Sequence, residues 1–325
     1  MKGIEIIGTG SYAPNNVVSN KMLETVVDTT DEWIVSRTGI KSRHISKDED
    51  TSIIASKAAL DALSNSGTDA KDIELIIVAT VSPDYLTPSV ACRVQKNIGA
   101  ENAMAFDINA ACSGFIFGVD IAKSFIASGR VNNALIIGAE VLSKIVNWED
   151  RSTCVLFGDG AGAAVVRKSS FDGITSVHCK SEGEKGDALI CGAVNLKNPF
   201  AEESLDFNNK IAMEGKEIYK FAVRVMETEF NRILEEENLS KEEIDFIIPH
   251  QANVRMIEAF SKKIGVSLDK FVINLNNYGN TSGASIPIAL DEINKKGCLK
   301  AGNKIVIIGF GGGLTFGSAL ITWNK

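Results

Sequence analysis

Short, continuous apolar runs alternate along the chain with longer stretches in which apolar residues return every third or fourth position. The runs at 73–80 and 134–140 have the length and the apolar content of strands buried in a sheet, and 103–108 is a third apolar run. Helical spacing fills 52–65, 89–98 and 114–129 between them. The second half repeats the scheme. A helix at 216–234 leads to an apolar run at 244–248, a helix ending at Ile264, a strand at 271–275, a small-residue turn at 280–283, a helix ending at Lys296 and a strand closing on Gly309. In the first half the matching turn is Cys112-Ser113-Gly114, and the closing strand carries Gly138. A βαβαβ unit written twice implies an α/β protein of two similar halves, 1–170 and 171–325, with equivalent strand-to-helix junctions meeting near a pseudo-twofold axis. The stretch 170–209 is polar and turn-rich, and predicts a connecting excursion with few long elements.

This scheme gives single residues their meaning. Asn109-Ala110-Ala111-Cys112-Ser113-Gly114-Phe115 joins an apolar run to a helix, so Cys112 falls where unpaired backbone N–H groups gather. Their partial positive charge favours thiolate, and the Cys112 pKa is expected below the ordinary value of roughly 8.5. A buried Cys112 would equally serve as a small hydrophobe. Of only three histidines, His44, His178 and His250, the last alone sits at a predicted strand end in the half that mirrors the cysteine. Asn280 opens the mirrored turn. Open α/β sheets bind ligands at the carboxyl ends of their strands, so Cys112, His250 and Asn280 are expected to converge there.

Two other stretches admit two meanings each. Thr29 followed by Glu32 reads as a capping box, and Trp33 and Arg37 then lie one helical turn apart. They form either a surface cation–π pair or a platform for a flat heteroaromatic ring with a guanidinium in reach of phosphate. The glycine-rich stretch 158–164 lacks a following Lys-Ser/Thr pair and runs into a strand, which excludes a phosphate loop and points to close backbone packing.

Composition removes whole classes of function. A net charge of −7 speaks against a general nucleic-acid or membrane-surface binder. Six cysteines without a CxxC spacing suggest neither a disulfide framework nor a zinc site. The first residues read as a charged strand instead of a signal peptide, no apolar run reaches membrane-spanning length, and a cytoplasmic location is expected.

The motifs Ile7-Gly8-Thr9-Gly10, Thr30-Asp31-Glu32-Trp33-Ile34, Arg37-Thr38-Gly39-Ile40, Ala111-Cys112-Ser113-Gly114-Phe115, Phe157-Gly158-Asp159-Gly160, Pro249-His250-Gln251-Ala252-Asn253, Gly279-Asn280-Thr281-Ser282 and Phe310-Gly311-Gly312-Gly313 span the chain from end to end. Together they resemble the β-ketoacyl-acyl-carrier-protein synthase III family. The resemblance implies a thiolase fold, two βαβαβ halves forming a five-layered αβαβα sandwich. It implies acylation of Cys112 by a short-chain acyl-coenzyme A, then decarboxylative Claisen condensation with malonyl-acyl-carrier-protein, without metal or organic cofactor. His250 and Asn280 would stabilise the enolate. The backbone N–H groups of Cys112 and Gly312 would form the oxyanion hole, each such donor being worth about 3 kcal/mol.

The same resemblance assigns Trp33, Arg37 and Arg151 to the nucleotide end of coenzyme A and Asn253 to its pantetheine arm. Arg255, Lys262 and Lys263 recur at i, i+7 and i+8 on one helix face, either a docking stripe for the acidic acyl carrier protein or a solvated face. Thr87, in a loop often supplied by a neighbouring subunit, and Leu142 would wall the acyl pocket. A threonine there is small, so acyl groups longer or more branched than acetyl are expected. Walls within 181–204 are left unassigned. A homodimer is implied. Three other functions use parts of the same residues: an acyltransferase of this fold that releases no carbon dioxide, a cysteine hydrolase, and a non-catalytic carrier-protein scaffold.

Overall fold

In the computed structural model, which describes residues 3–200 and 208–325, two larger sheets divide the chain. Strands β1 (Gly3–Tyr12), β2 (Leu75–Ala79), β3 (Met104–Ile108), β4 (Asn133–Glu140) and β5 (Gly160–Ser169) form the first, in the order β1-β5-β4-β2-β3. Strands β6 (Ile174–Ser181), β7 (Phe246–Pro249), β8 (Lys304–Gly311) and β9 (Thr315–Thr322) form the second, in the order β6-β9-β8-β7. Three parallel strands in the first sheet (β3, β2, β4) and two in the second (β7, β8) are each followed by two antiparallel steps, so β1, β5, β4 and β2 correspond to β6, β9, β8 and β7.

The central strands β2, β4 and β8 are predominantly apolar because both their faces are covered. On β8, Ile305 and Ile307 face one core cluster while Val306, Ile308 and Phe310 face another. Each such side chain contributes roughly 1.5–3 kcal/mol on burial. The helices are α1 (Asp31–Thr38), α2 (Thr51–Ser66), α3 (Val90–Ile98), α4 (Gly114–Ala127), α5 (Gly215–Glu237), α6 (Val254–Ile264) and α7 (Ser285–Lys295). Helices α2 and α3 cover the outer face of the first sheet, α4 and α7 fill the space between the sheets, and α5 and α6 cover the outer face of the second. These are the five layers of the thiolase fold.

The halves lock reciprocally. A Cβ on Gly138 of β4 would stand 2.2 Å from the Gly283 carbonyl oxygen, and one on Gly309 of β8 would stand 3.1 Å from Ser113 Cα. Each sheet therefore presses a side-chain-free position against the turn of the other half.

Three sequence expectations need correction. The strand at 271–275 shrinks to one bridge, Ile247 to Phe271, followed by a helical turn at Leu275–Tyr278, since its asparagines favour turns over a ladder. The excursion 170–209 contains β6, eight residues long, which closes the second sheet. Its alternation is hidden by Ser176 at φ 45° and a register shift against β9. Helix α1 is capped by Thr30, whose Oγ1 accepts from Trp33 N at 3.1 Å, and not by a box on Thr29. Among the described residues no helix is long and apolar enough to cross a membrane, and no His/Cys/Asp/Glu group is arranged to hold a metal ion.

Candidate active site

Helices α4 and α7 each begin with a tight turn, Ala111–Ser113 and Ser282–Ala284. The first residue of each turn is left-handed, Ala111 at φ 45° and Ser282 at φ 48°. Such conformations cost about 1–3 kcal/mol and persist only where the surroundings hold them. Here the Ser113 and Thr315 hydroxyls bond one another at 2.7 Å and both reach the Ala110 carbonyl at 2.8 Å. Gly311, at the end of β8, passes directly over the nucleophile turn: a Cβ there would lie 2.6 Å from Cys112 N.

Cys112, His250 and Asn280 line one cavity of about 160 Å³, together with Phe157, Met213 and Phe310. The thiol does not behave as its helix-start position suggests. Burial pushes its pKa up to about 12, the Glu140 charge adds to the rise, and the Ser282 hydroxyl opposes it. Exclusion of water outweighs the helix end, so the resting group is a thiol.

His250 follows β7 and sits edge-on to Phe310 at 5.1 Å. Burial brings its pKa down to about 3, leaving a neutral imidazole. Its Nδ1 lies 2.7 Å from Ser285 Oγ, which also accepts from Gln251 N at 3.4 Å. When the Ser285 hydroxyl donates to Nδ1, Nε2 carries the ring hydrogen; this tautomer is an assignment. Asn280 Oδ1 accepts from Ser282 N at 2.8 Å, which leaves the amide N–H groups to donate. Two neutral donors thus stand on the cavity wall. Because His250 is neutral when folded and titrates near 6.5 when unfolded, stability is fully present above pH 6.5 and falls as pH drops toward 3. The slope is at most about 1.4 kcal/mol per pH unit, and urea unfolding of His250→Gln is expected to show a shallower acid limb than the parent.

A wider pocket of about 490 Å³ shares Gly215, Tyr219 and Asn253 with the inner cavity and carries Arg37, Lys216, Lys220 and Arg255. The Arg37 and Arg151 guanidinium carbons lie 4.8 and 5.1 Å from the Trp33 ring centroid. Asn253 is fixed by accepting from Arg255 N at 2.9 Å and donating to Arg37 O at 3.1 Å. Sequence reasoning missed Lys216, Tyr219 and Lys220. Their i, i+3, i+4 spacing at the start of α5 was the available signal.

Other expected positions fall elsewhere. Thr87 is exposed and Leu142 is buried in the core, and neither lines the inner cavity. Lys263 is ion-paired with Glu227 of α5, which takes it out of the stripe formed with Arg255 and Lys262. The Gly312 carbonyl accepts from Thr315 Oγ1 at 3.0 Å, and its neighbour Gly311 lines the cavity beside Cys112. Of the unassigned walls in 181–204, Leu189 lines the cavity, and 201–204 lie outside the described residues.

A duplicated α/β framework whose two turns meet at a narrow cavity defines a thiolase-fold protein of the condensing-enzyme class. The family described as 3-oxoacyl-[acyl-carrier-protein (ACP)] synthase III matches residues 106–183, and its C-terminal counterpart matches 234–323. β-Ketoacyl-[acyl-carrier-protein] synthase III of Clostridium acetobutylicum is 55% identical over the full length of both chains. The solved 3-oxoacyl-[acyl-carrier-protein] synthase III of Aquifex aeolicus VF5 is 47% identical, covers 99% of this chain and 100% of its own, and superposes with a TM-score of 0.93. The priming β-ketosynthase of the R1128 polyketide pathway is 32% identical over 100% of this chain and 97% of its own, with a TM-score of 0.92. The chain belongs to the 3-oxoacyl-acyl-carrier-protein synthase III family.

Proposed function

We propose that the protein condenses a short-chain acyl group from acyl-coenzyme A with malonyl-acyl-carrier-protein, giving β-ketoacyl-acyl-carrier-protein, coenzyme A and carbon dioxide. The observation that carries this is the meeting of Cys112, His250 and Asn280 on one cavity behind a cationic mouth, in a chain of this family. Cys112 takes the acyl group, with the backbone N–H groups of Cys112 and Gly312 receiving the oxyanion. Malonyl-acyl-carrier-protein follows. Its carbon dioxide leaves, and the enolate oxygen is held by Nε2–H of His250 and the amide N–H of Asn280. The carbanion then attacks the acyl carbon and frees Cys112. Neutral donors suit this step, because a full positive charge is unnecessary to hold a developing enolate in a dry cavity, and the chemistry calls for no cofactor.

The halves 1–170 and 171–325 act as one unit, the first supplying the thiol and the second the two donors. Trp33, Arg37 and Arg151 hold the nucleotide end of coenzyme A, and Asn253 borders the arm. Replacing Arg37 or Lys216 with alanine is expected to raise the KM for acyl-coenzyme A several-fold, more at low salt, with kcat little changed. Arg255 and Lys262 meet the acidic carrier protein. Two copies pair along β3, whose five residues are all partly exposed at the sheet edge, so that Thr87 of one copy reaches the acyl pocket of its partner. The protein works in the cytoplasm.

The test is intact-mass spectrometry: butyryl-coenzyme A adds one acyl group, and malonyl-acyl-carrier-protein removes it with release of carbon dioxide. Removal without carbon dioxide would mark an acyl transferase instead, and loss to water a hydrolase. A turnover series over acetyl-, isobutyryl-, butyryl- and octanoyl-coenzyme A is expected to favour groups longer than acetyl; activity with acetyl alone would refute that preference.

A further inference from the structure

A short two-stranded ribbon, Val17–Ser19 with Ser42–His44, stands outside both larger sheets and carries a buried cation. Arg43 is 0% exposed. Among the described residues its hydrogen bonds go to neutral oxygens: Nη1 donates to Asn20 Oδ1 at 2.7 Å and to the Val18 carbonyl at 3.3 Å, Nη2 donates to the Val155 carbonyl at 2.7 Å, and Nε has no partner. Asn20 links the guanidinium to a carboxylate, since its Nδ2 donates to Asp31 Oδ1 and to the Ile40 carbonyl, both at 2.8 Å. Burial lowers the Arg43 pKa to about 10, with Cys154 and Asp31 opposing, so the group is a cation at neutral pH. Burying a cation with no carboxylate directly against it is costly, and well-packed apolar side chains often fill such a space at no loss of stability. The fold alone gives no reason for a guanidinium here.

What the guanidinium holds is the wall that carries Asn280. Val155 begins a segment ending at Gly158, and Leu156 and Phe157 within it line the inner cavity. Phe157 and Asn280 form a parallel bridge, in which Asn280 N donates to the Leu156 carbonyl at 2.8 Å and Gly158 N donates to the Asn280 carbonyl at 3.0 Å. The Arg43 stem lies behind this bridge: a Cβ on Gly158 would stand 3.0 Å from Arg43 Cβ, and one on Gly279 would stand 3.2 Å from it. Neighbours of Arg43 grip the same two segments. Lys41 N donates to the Asn276 carbonyl at 2.9 Å, the His44 ring stacks on Tyr278 at 5.3 Å, and the His44 carbonyl accepts from Asp159 N at 2.8 Å. An apolar side chain would back the two glycines equally well. Only a forked donor also takes the Val155 carbonyl while staying tied to Asn20.

We propose that Arg43 is a positioning residue for Asn280: it fixes the bridge between Phe157 and Asn280, and so aims the Asn280 amide at the enolate oxygen formed when malonyl-acyl-carrier-protein loses carbon dioxide. The inference rests on the donor role given to Asn280 above. Arg43 itself touches no reacting atom. Its partners Val18, Asn20 and Val155 lie apart from the turn before α4 that carries Cys112, so acylation does not depend on this anchor. A lysine at the same place keeps the charge and the stem but replaces the forked nitrogens by one, which leaves the Val155 carbonyl or Asn20 without its donor.

The test measures two steps in Arg43→Lys and Arg43→Gln: acylation of Cys112 by butyryl-coenzyme A, followed by quenched-flow mass spectrometry, and release of carbon dioxide from malonyl-acyl-carrier-protein. In both variants kcat for carbon dioxide release is expected to fall about 10- to 10²-fold with KM little changed, the cost of a donor misplaced by a fraction of its reach, while acylation keeps the parent rate. A double-mutant cycle separates aim from general damage. In an Asn280→Ala background, either change at Arg43 is expected to have no further effect on carbon dioxide release. Circular dichroism identifies the folded variants. Parent-like carbon dioxide release in a folded variant, an equal loss of acylation, or losses that add in the cycle would overturn the inference. Failure of both variants to fold would overturn it too, by making Arg43 a residue of the fold alone. Parent-like carbon dioxide release in Asn280→Ala would instead overturn the donor role given to Asn280.

Discussion

Cys112→Ala is expected to take no acyl group from acyl-coenzyme A, while His250→Ala and Asn280→Ala still acylate and condense about 10²–10³-fold more slowly. The division follows from where each group stands. Only Cys112 offers an electron pair to the thioester carbon; His250 and Asn280 offer N–H groups, fixed by Ser285 and by the Ser282 backbone. Removing one donor leaves the enolate oxygen with half its support in a water-poor cavity, where hydrogen bonds are worth more than in solution. Since His250 stays neutral well below physiological pH, decarboxylation measured alone is expected to be flat with pH across the neutral range. Equal loss of acylation in all three variants, read by intact mass, would contradict this division of labour.

Gly138→Ala is expected to destabilise the fold by about 3 kcal/mol or more and to abolish both steps together. The added Cβ would meet the Gly283 carbonyl oxygen at 2.2 Å, and the nearby atoms are backbone of the turn before α7, which has no rotamer to change. Relief requires moving α7 away from β4, and with it Ser282, Ser285 and the support of both donors. Urea unfolding and circular dichroism check the stability loss. The sibling substitution Gly309→Ala is milder by the same geometry, because its closest contact, Ser113 Cα at 3.1 Å, needs a shift of only tenths of an ångström. A parent-like unfolding midpoint for Gly138→Ala would show that the turn yields without cost.

The duplication was legible in the chain because buried parallel strands need unbroken apolar runs and the helices between them need a 3.6-residue period, and both recur. The strand β6 was not legible, since its pairing with β9 depends on a partner nearly 140 positions away and is interrupted at Ser176. The strand expected at 271–275 failed for the opposite reason: an apolar start at Phe271 and Val272 gives way to Asn274, Asn276 and Asn277, whose side chains favour a turn.

Sequence alone determined which residue types bear the chemistry, one cysteine at a helix start and one histidine and one asparagine in the mirrored half, because those chemistries demand those side chains. Tertiary structure decided their ionisation. Closing the cavity withdrew water from Cys112, His250 and Glu140, which raised the two acids and lowered the base. Water exclusion depends on residues from both halves meeting at one place, so no stretch of sequence carries it.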